Sequence, residues 1–230
     1  MARLLPVFVH GWAFGPEFWQ PALAQLNWAD AVTLDLGFLK PEASGVTKAI
    51  TLDDVCQKQQ PILGIGHSLG FMWLMMQRRQ GVLPAGSRFA GINTFACFAS
   101  REGFSEGVAP RIVQRMIRGL GREPAAVVND FRQRCGASPV FAARCQPEKL
   151  VHGLDLLCTE DVRADLPCGS LDVLAGRQDD IASPSMTKAS FPAPAHIKWV
   201  ENGGHLLPQT HPVECAWFLE TLRNRMEQQR

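Results

Sequence analysis

The chain has 230 residues, of which 46% are hydrophobic and 20% are charged, and its formal net charge is +1. These values are typical of a globular protein with one domain, and they exclude a disordered chain. Because 23 basic residues nearly balance 22 acidic ones, the overall charge predicts no nucleic-acid partner and no membrane partner.

The N-terminal stretch is apolar but short, is broken by Pro6, and lacks a small-residue cleavage site. We interpret it as a buried strand rather than a signal peptide, and no other run approaches the roughly 20 residues that cross a bilayer. Scattered cysteines without a CxxC pair predict neither a disulfide framework nor a zinc site. We therefore expect a cytoplasmic protein without a metal or cofactor. The cysteines are at positions 56, 97, 135, 145, 158, 168 and 215.

Six short apolar runs alternate along the chain with segments of helical spacing, such as 71–80 and 212–225. Runs this short and apolar are typical of strands that are covered on both faces, as in parallel sheets. The alternation predicts an α/β fold with a mostly parallel, doubly wound sheet. The predicted strands are 4–9, 31–36, 61–66, 89–94, 171–175 and 197–200.

The segment 100–167 breaks this alternation, because it shows no convincing strand and has the pattern of two or three helices. The first predicted helix, 110–120, begins with a proline, which suits a first helical turn. We predict a core formed by 1–99 and 168–230, with 100–167 inserted between two core strands as a helical lid. On a helical wheel, one side of the first lid helix carries Ile112, Val113, Met116, Ile117 and Leu120, and the other carries Arg111, Arg115, Arg118 and Arg122.

The sequence Gly-His-Ser-Leu-Gly at 66–70 is a G-x-S-x-G motif. It follows a predicted strand and precedes a helical stretch, which is the context of a nucleophile elbow. Glycine is needed at both ends because the strained turn brings neighbouring backbone too close for a side chain. We predict that Ser68 is a nucleophile; the alternative is a serine in an ordinary glycine-rich turn.

A serine hydroxyl needs a base to take its proton, and His205 is the best placed of six histidines. It lies in an Asn-Gly-Gly-His sequence just after the last predicted strand, where a base is required. His211 precedes a proline and fits an exposed helix cap, whereas His196 enters a strand and His152 lies in the insertion.

The base in turn needs an acid that fixes its tautomer and stabilises the imidazolium. Asp179 and Asp180 leave the end of the predicted strand 171–175. The chain between Asp179 and His205 has room for one helix and one strand. We predict Asp179 as the acid, with Asp180 as the alternative.

Two backbone N–H groups must stabilise the negative charge that develops on the attacked carbonyl. Leu69, directly after the predicted nucleophile, supplies one of them. We predict that the other comes from Trp12, in the His-Gly-Trp sequence after the first strand. The alternative is a glycine turn with a buried tryptophan.

The His-Gly-Trp, Gly-His-Ser-Leu-Gly, Gly-x-x-Asp and Gly-Gly-His sequences, in this order, resemble those of α/β-hydrolases over nearly the whole chain. More narrowly, the chain resembles the biotin-pathway carboxylesterases that demethylate pimeloyl-[acyl-carrier protein] methyl ester. The tryptophan at 12 and the segment 153–163 carry this narrower likeness. Phe71 departs from it, since many relatives have glycine there. The resemblance implies an α/β-hydrolase fold and a serine carboxylesterase that works through an acyl-enzyme.

In the family resembled, arginines of the lid bind the acidic acyl-carrier protein that delivers the substrate. Between Arg111 and Lys149 there are eight basic and three acidic residues. The arginines at 111, 115, 118 and 122 are therefore the predicted docking residues; a solvated helix face is the alternative. The chain has no tyrosine, and we expect an apolar pocket for an acyl chain formed by Trp12, Phe71, Phe131 and Phe141.

Other functions remain open at this point. The same catalytic residues would serve a hydrolase acting on other small or acyl esters, on lactones or on C–C bonds. Serine at position 68 disfavours dehalogenases and epoxide hydrolases, which use aspartate there. A ligand-binding protein of this fold without catalysis is the third alternative.

Overall fold

Six parallel strands form a single sheet in the order β2-β1-β3-β4-β5-β6. The computed structural model describes residues 3–41, 50–167 and 171–228. Every predicted strand is present, with bounds that differ by no more than two residues. The strands are β1 (Leu5–Val9), β2 (Val32–Leu34), β3 (Ile62–His67), β4 (Arg88–Ile92), β5 (Asp172–Gly176) and β6 (His196–Val200).

Helices lie between the strands and after the last one. The α-helices are α1 (Gln20–Leu23), α2 (Leu52–Cys56), α3 (Leu69–Arg79), α4 (Pro110–Leu120), α5 (Pro124–Cys135), α6 (Pro147–Thr159), α7 (Pro184–Ser190), α8 (Leu207–Thr210) and α9 (Pro212–Gln228). Short 3₁₀ helices are found at Pro16–Trp19, Ala142–Arg144 and Arg163–Asp165.

The sheet is covered on both faces, which explains why its strands are apolar throughout. Leu63 and Ile65 of β3 point to a cluster that includes side chains of α1, α8 and α9. Ile62 points to the opposite cluster, which contains α3 and α7 side chains. Successive side chains of a strand alternate between faces, so helices on both sides need apolar residues at every position. The predicted doubly wound parallel sheet is confirmed.

The chain between β4 and β5 contains the helices α4, α5 and α6. Val113, Val128 and Leu150, one from each helix, are buried in the cluster on the α3 side of the sheet. The amphipathic pattern of α4 accounts for this packing, although Ile112, predicted on the apolar side, is 37% exposed. The insertion therefore shares its apolar core with the sheet.

Within the described ranges, six cysteines are free, and Cys168 lies outside those ranges. Among the residues that the structure describes, no group of three or more His, Cys, Asp or Glu side chains is suited to bind a metal ion. In this part of the chain, every helix is too short or too polar to cross a membrane.

Candidate active site

Ser68 lies in the turn between β3 and α3, at the carboxyl end of a central strand. Its backbone has φ 53° and ψ −125°, a strained conformation for a residue with a side chain, of the kind that clusters at functional sites. The carbonyl of Ser68 accepts a hydrogen bond from Thr94 Oγ1 at 2.7 Å, and its N–H donates to Ile92 at 3.3 Å. These bonds tie the strained turn to the end of β4.

The two motif glycines are required by close backbone contacts. A Cβ added to Gly66 would lie 2.2 Å from Phe71 Cα, and one added to Gly70 would lie 2.3 Å from the Val9 carbonyl oxygen. Because both contacts involve backbone atoms, no rotation of a side chain relieves them. The sequence-based explanation of these two glycines agrees with this geometry.

Replacing Gly70 with alanine is expected to lower the free energy of unfolding by about 3 kcal/mol, the cost of forcing atoms into a packed site. Urea unfolding followed by circular dichroism measures the loss. Gly121→Ala is the matched control, since Gly121 has φ −70° and its nearest contact is at 3.6 Å. We expect the control to change stability by less than about 1 kcal/mol. Equal effects of both changes would contradict the proposed close approach at Gly70.

Asp179 lies in the loop after β5 and is 2% exposed. Its Oδ1 accepts the N–H groups of Ile181 and Ala182 at 2.8 and 2.9 Å. Its Oδ2 is 2.9 Å from Nδ1 of His205. Asp180 is exposed. The structure therefore brings Asp179, and not its neighbour, to the histidine.

His205 lies in the loop between β6 and α8 and is 3% exposed. With Nδ1 donating to Asp179, the lone pair of the neutral ring lies on Nε2, the arrangement that a general base requires. Nε2 is buried and has no hydrogen-bond partner in the described structure. Nε2 is thus free to accept the serine proton, through a catalytic hydrogen bond of the kind that often tightens only when substrate binds.

The loop after β1 lies against the elbow because β1 and β3 are in register, with Val9 opposite Gly66. A Cβ added to Gly11 would lie 2.9 Å from Cβ of Ser68, so only glycine permits this approach. The glycine of the His-Gly-Trp sequence therefore lets this loop pack closely against Ser68.

The peptide between Gly11 and Trp12 is oriented by His10. Nδ1 of His10 lies 2.9 Å from the Gly11 carbonyl oxygen, and Nε2 lies 3.1 Å from the N–H of Leu36. The N–H and C=O of a trans peptide point in opposite directions, so the Trp12 N–H points away from the imidazole. Leu69 begins α3, and its N–H therefore has no acceptor within the helix. These are the two N–H groups predicted for the oxyanion.

The insertion covers this loop with two anchors. Trp12 is 2% exposed, and its Nε1 donates to the Leu150 carbonyl of α6 at 2.9 Å. Arg132 of α5 donates to the Ala13 carbonyl at 2.9 Å and stacks on Phe14. The contact of Arg132 was not predicted from the sequence, because nothing in its helical pattern distinguishes it from the exposed arginines.

One of the two phenylalanines predicted in the insertion reaches the site. The ring centre of Phe131 is 4.9 Å from that of Trp12 and 6.5 Å from that of His205. Phe141, the other, is 83% exposed, so the structure places it at the surface and not beside Trp12 and His205. It lies next to the short 3₁₀ helix Ala142–Arg144, where no helical packing turns the side chain inward.

Phe71, which was also predicted to bind substrate, lies in the core of the structure. The side chain has no exposed surface and packs against Phe191, with ring centres 5.5 Å apart. Phe71 lies on α3, which packs directly on the sheet where glycine replaces larger residues of β3, and this contact directs it into the core.

The model of the alpha/beta hydrolase family matches residues 7–216. The chain belongs to the alpha/beta hydrolase family. No curated protein matches the sequence.

Solved structures of several hydrolases are similar to this alpha/beta hydrolase. An esterase from Exiguobacterium antarcticum has a TM-score of 0.77 at 13% identity, covering 97% of this chain and 93% of the other. A thermophilic esterase from Thermogutta terrifontis has 0.70 at 20%, covering 98% and 91%. An enol-lactonase from Burkholderia xenovorans LB400 has 0.69 at 15%, covering 95% and 90%. At these identities the similarity shows the shared fold.

A cysteine also lies near the acid of this alpha/beta hydrolase. Burial, with a smaller effect of the Asp179 charge, raises the pKa of Cys135 to about 12. The thiol therefore stays protonated at neutral pH and is a poor nucleophile. Cys135 therefore does not compete with Ser68 as a nucleophile.

Two further polar residues at the site were not singled out from the sequence. Asn93, just after β4, donates through Nδ2 to Asp179 Oδ2 at 2.7 Å. His67, the residue before Ser68, lies 2.9 Å through Nε2 from the His205 carbonyl oxygen. Each lies at or directly after the carboxyl end of a parallel strand. This position is the sequence signal that could have identified them, since those strand ends meet at one edge of the sheet.

Proposed function

We propose that this alpha/beta hydrolase is a serine carboxylesterase with Ser68 as nucleophile, His205 as base and Asp179 as acid. The observation that carries the proposal is the buried His205–Asp179 pair, with 2.9 Å between Nδ1 and Oδ2, beside an elbow serine. The ring centre of His205 is 4.8 Å from that of His67, the residue before Ser68.

In the proposed mechanism, Ser68 Oγ attacks the ester carbonyl carbon while His205 Nε2 takes the hydroxyl proton. The N–H groups of Trp12 and Leu69 stabilise the resulting oxyanion, and Asp179 stabilises the imidazolium. The alcohol then leaves with the proton from Nε2, and an acyl-enzyme remains. Water attacks this ester, gives one proton to His205, and releases the acid as Ser68 regains its proton.

We propose that residues 100–167 act as a lid on a core of 1–99 and 168–230. The hydrogen bonds from Trp12 to Leu150 and from Arg132 to Ala13 support the role of a lid, because they hold the insertion over the oxyanion loop. Opening the lid would separate these contacts, exposing the nearly buried Ser68.

The proposed substrate is the methyl ester of pimeloyl-[acyl-carrier protein], hydrolysed in the cytoplasm during biotin synthesis. The His-Gly-Trp loop and the segment 153–163 support this choice by their resemblance to that family. The apolar contact between Trp12 and Phe131 suits an acyl chain.

The proposed carrier-protein partner rests on the arginine face of α4 and the turn after it. Its four arginines are exposed, and none of their side chains forms a hydrogen bond or ion pair with the described residues of the chain. The helix itself packs on α5 and α6, the helices that contact Trp12. Arginine binds carboxylate and phosphate with two parallel hydrogen bonds, which suits an acidic carrier with a phosphopantetheine arm. The face consists of Arg111, Arg115, Arg118 and Arg122.

Changing Arg115 and Arg118 together to glutamate is expected to raise KM for the carrier-bound ester about tenfold, because two exposed attractions become repulsions. KM and kcat for a small p-nitrophenyl ester should not change, since the small ester does not contact this face. Steady-state kinetics with both substrates measures the difference.

Lys58→Glu combined with Arg88→Glu is the matched control for the two charge reversals. Both residues are exposed and lie at the amino end of the sheet, opposite the catalytic loops. This control should leave both KM values unchanged. An equal response of both substrates to the arginine reversals would contradict docking on this face.

The direct test of the proposed function is incubation with methyl pimeloyl-[acyl-carrier protein], with mass spectrometry for the free acid. Stoichiometric labelling of Ser68 by a fluorophosphonate establishes the nucleophile independently. Labelling without hydrolysis of the carrier ester would favour another ester or a lactone as substrate. Absence of both labelling and p-nitrophenyl ester turnover would favour a ligand-binding protein and overturn the proposal.

A further inference from the structure

The loop that carries His205 is held at two consecutive carbonyl groups by side chains from two neighbouring strand ends. Asn93 Nδ2 donates to the Gly204 carbonyl oxygen at 3.0 Å. His67 Nε2 lies 2.9 Å from the His205 carbonyl oxygen. Both side chains belong to fully buried residues, so water does not compete for these hydrogen bonds.

Asn93 connects the proposed acid with the loop of the proposed base. The same Nδ2 group that reaches Gly204 also donates to Asp179 Oδ2 at 2.7 Å. The backbone of Asn93 has φ +46°, a left-handed conformation that asparagine tolerates better than most residues. Its N–H donates to the Leu174 carbonyl of β5 at 2.8 Å. The amide is therefore anchored to the sheet independently of the loop it holds.

His67 acts as a neutral hydrogen-bond donor. Burial, with a smaller effect of His205, holds its pKa well below the usual range. Nδ1 is buried without a partner, so the single ring proton is needed on Nε2, where the His205 carbonyl accepts it. The ring of Phe18, with its centre 4.3 Å away, packs against the imidazole and fixes its plane.

We propose that Asn93 and His67 are positioning residues that together fix the peptide of Gly204 and His205 for catalysis. The inference rests on the proposed role of His205 as general base. His205 must take a proton from Ser68 and give it to the leaving alcohol, so its backbone needs a fixed position. Misplacement of a catalytic group by about 1 Å costs up to about 100-fold in rate. Asp179 alone holds the imidazole at Nδ1, and the two donors hold the main chain behind it.

His67→Phe keeps an aromatic ring of similar size and removes the donor. We expect kcat for a p-nitrophenyl ester to fall about 10- to 100-fold, with KM within about twofold of the wild type. His67→Gln places an amide nitrogen near the position of Nε2 and should recover kcat to within about threefold, because it restores the hydrogen bond. Steady-state kinetics and the rate of fluorophosphonate labelling measure both variants.

Asn93→Gly removes the amide while allowing the positive φ. The expected result is again a loss of about 10- to 100-fold in kcat at nearly unchanged KM.

Asn93→Asp adds a carboxylate among Asp179, His205 and His67. The extra negative charge favours the imidazolium, so the acidic limb of the profile of kcat/KM against pH should move to higher pH. This shift would confirm that the side chain at position 93 lies beside the proposed acid and base, whereas the loss of kcat at nearly unchanged KM in Asn93→Gly tests the positioning role.

Thermal unfolding of every variant separates loss of fold from loss of positioning, and His152→Phe on the exposed face of α6 is the control for the aromatic replacement. Wild-type kcat in His67→Phe and Asn93→Gly, or equal losses in His67→Phe and His67→Gln, would overturn the positioning role. Loss of activity in Ser68→Ala and His205→Ala is measured alongside. Activity retained in those two variants would instead refute the proposed catalytic residues.

Discussion

Replacing Ser68 with alanine is expected to lower kcat for a p-nitrophenyl ester by about 10⁶-fold, the loss seen when a serine-protease triad loses its nucleophile. The reason is that no acyl-enzyme forms without the Oγ atom, whereas the oxyanion N–H groups persist. The Thr94 bond to the Ser68 carbonyl involves only backbone on the serine side, so the fold should be retained. Stopped assays at high enzyme concentration measure the residual rate.

Ser190→Ala is the matched control for this change. Ser190 is a fully buried serine at the end of α7, and its hydroxyl has no hydrogen-bond partner in the described structure. Activity and fluorophosphonate labelling should both survive in the control and disappear in Ser68→Ala. Labelling that persists after removal of the Ser68 hydroxyl would assign the nucleophile to another residue.

Replacing Asp179 with asparagine is expected to lower kcat by about 10⁴-fold, as in the equivalent change of a serine-protease triad. The amide preserves the shape of the side chain, and its oxygen still accepts from Ile181 and Ala182. An amide NH₂ group facing Nδ1 favours the tautomer with the proton on Nε2, which then has no lone pair for the serine proton. The measurement is kcat over a range of pH, with circular dichroism as the test of folding.

Asp180→Asn is the control that decides between the two adjacent aspartates. Its side chain is exposed, and we expect kcat within about twofold of the wild type, as is usual for surface changes away from special contacts. A larger loss in Asp180→Asn than in Asp179→Asn would assign the acid to the exposed residue and contradict the observed pair. Cooperative thermal unfolding of both variants is the test that each protein is folded.

Local pattern was sufficient for the elements of the fold. A strand in the middle of a parallel sheet is buried on both faces and must be apolar at each position, so its sequence is distinct from that of an amphipathic helix. The helix α4 was predicted with the bounds Pro110–Leu120 that the structure shows, because its proline start and its two-sided pattern are both local. Element bounds elsewhere differ by a few residues, where turns share residues with strands.

The sequence was less informative about side chains that meet across the molecule. Phe71 and Phe141 have the same chemistry, yet one is in the core and the other is 83% exposed. Arg132 and Arg134 lie on one helix, but only Arg132 reaches the oxyanion loop, at Ala13. Such differences depend on which face of an element meets another element, and that information is distributed over distant parts of the chain.

The sequence by itself determined the order of strands and helices, the elbow around Ser68 and the candidate acid and base, because each of these depends on residues next to one another. Only the tertiary structure placed Asp179 rather than Asp180 beside His205, placed Phe71 in the core and Phe141 at the surface, and revealed Asn93 and His67 behind His205. The physical reason is that parallel strands bring their carboxyl ends to one edge of the sheet, and hydrogen bonds of about 3 Å then join residues that lie far apart in the chain.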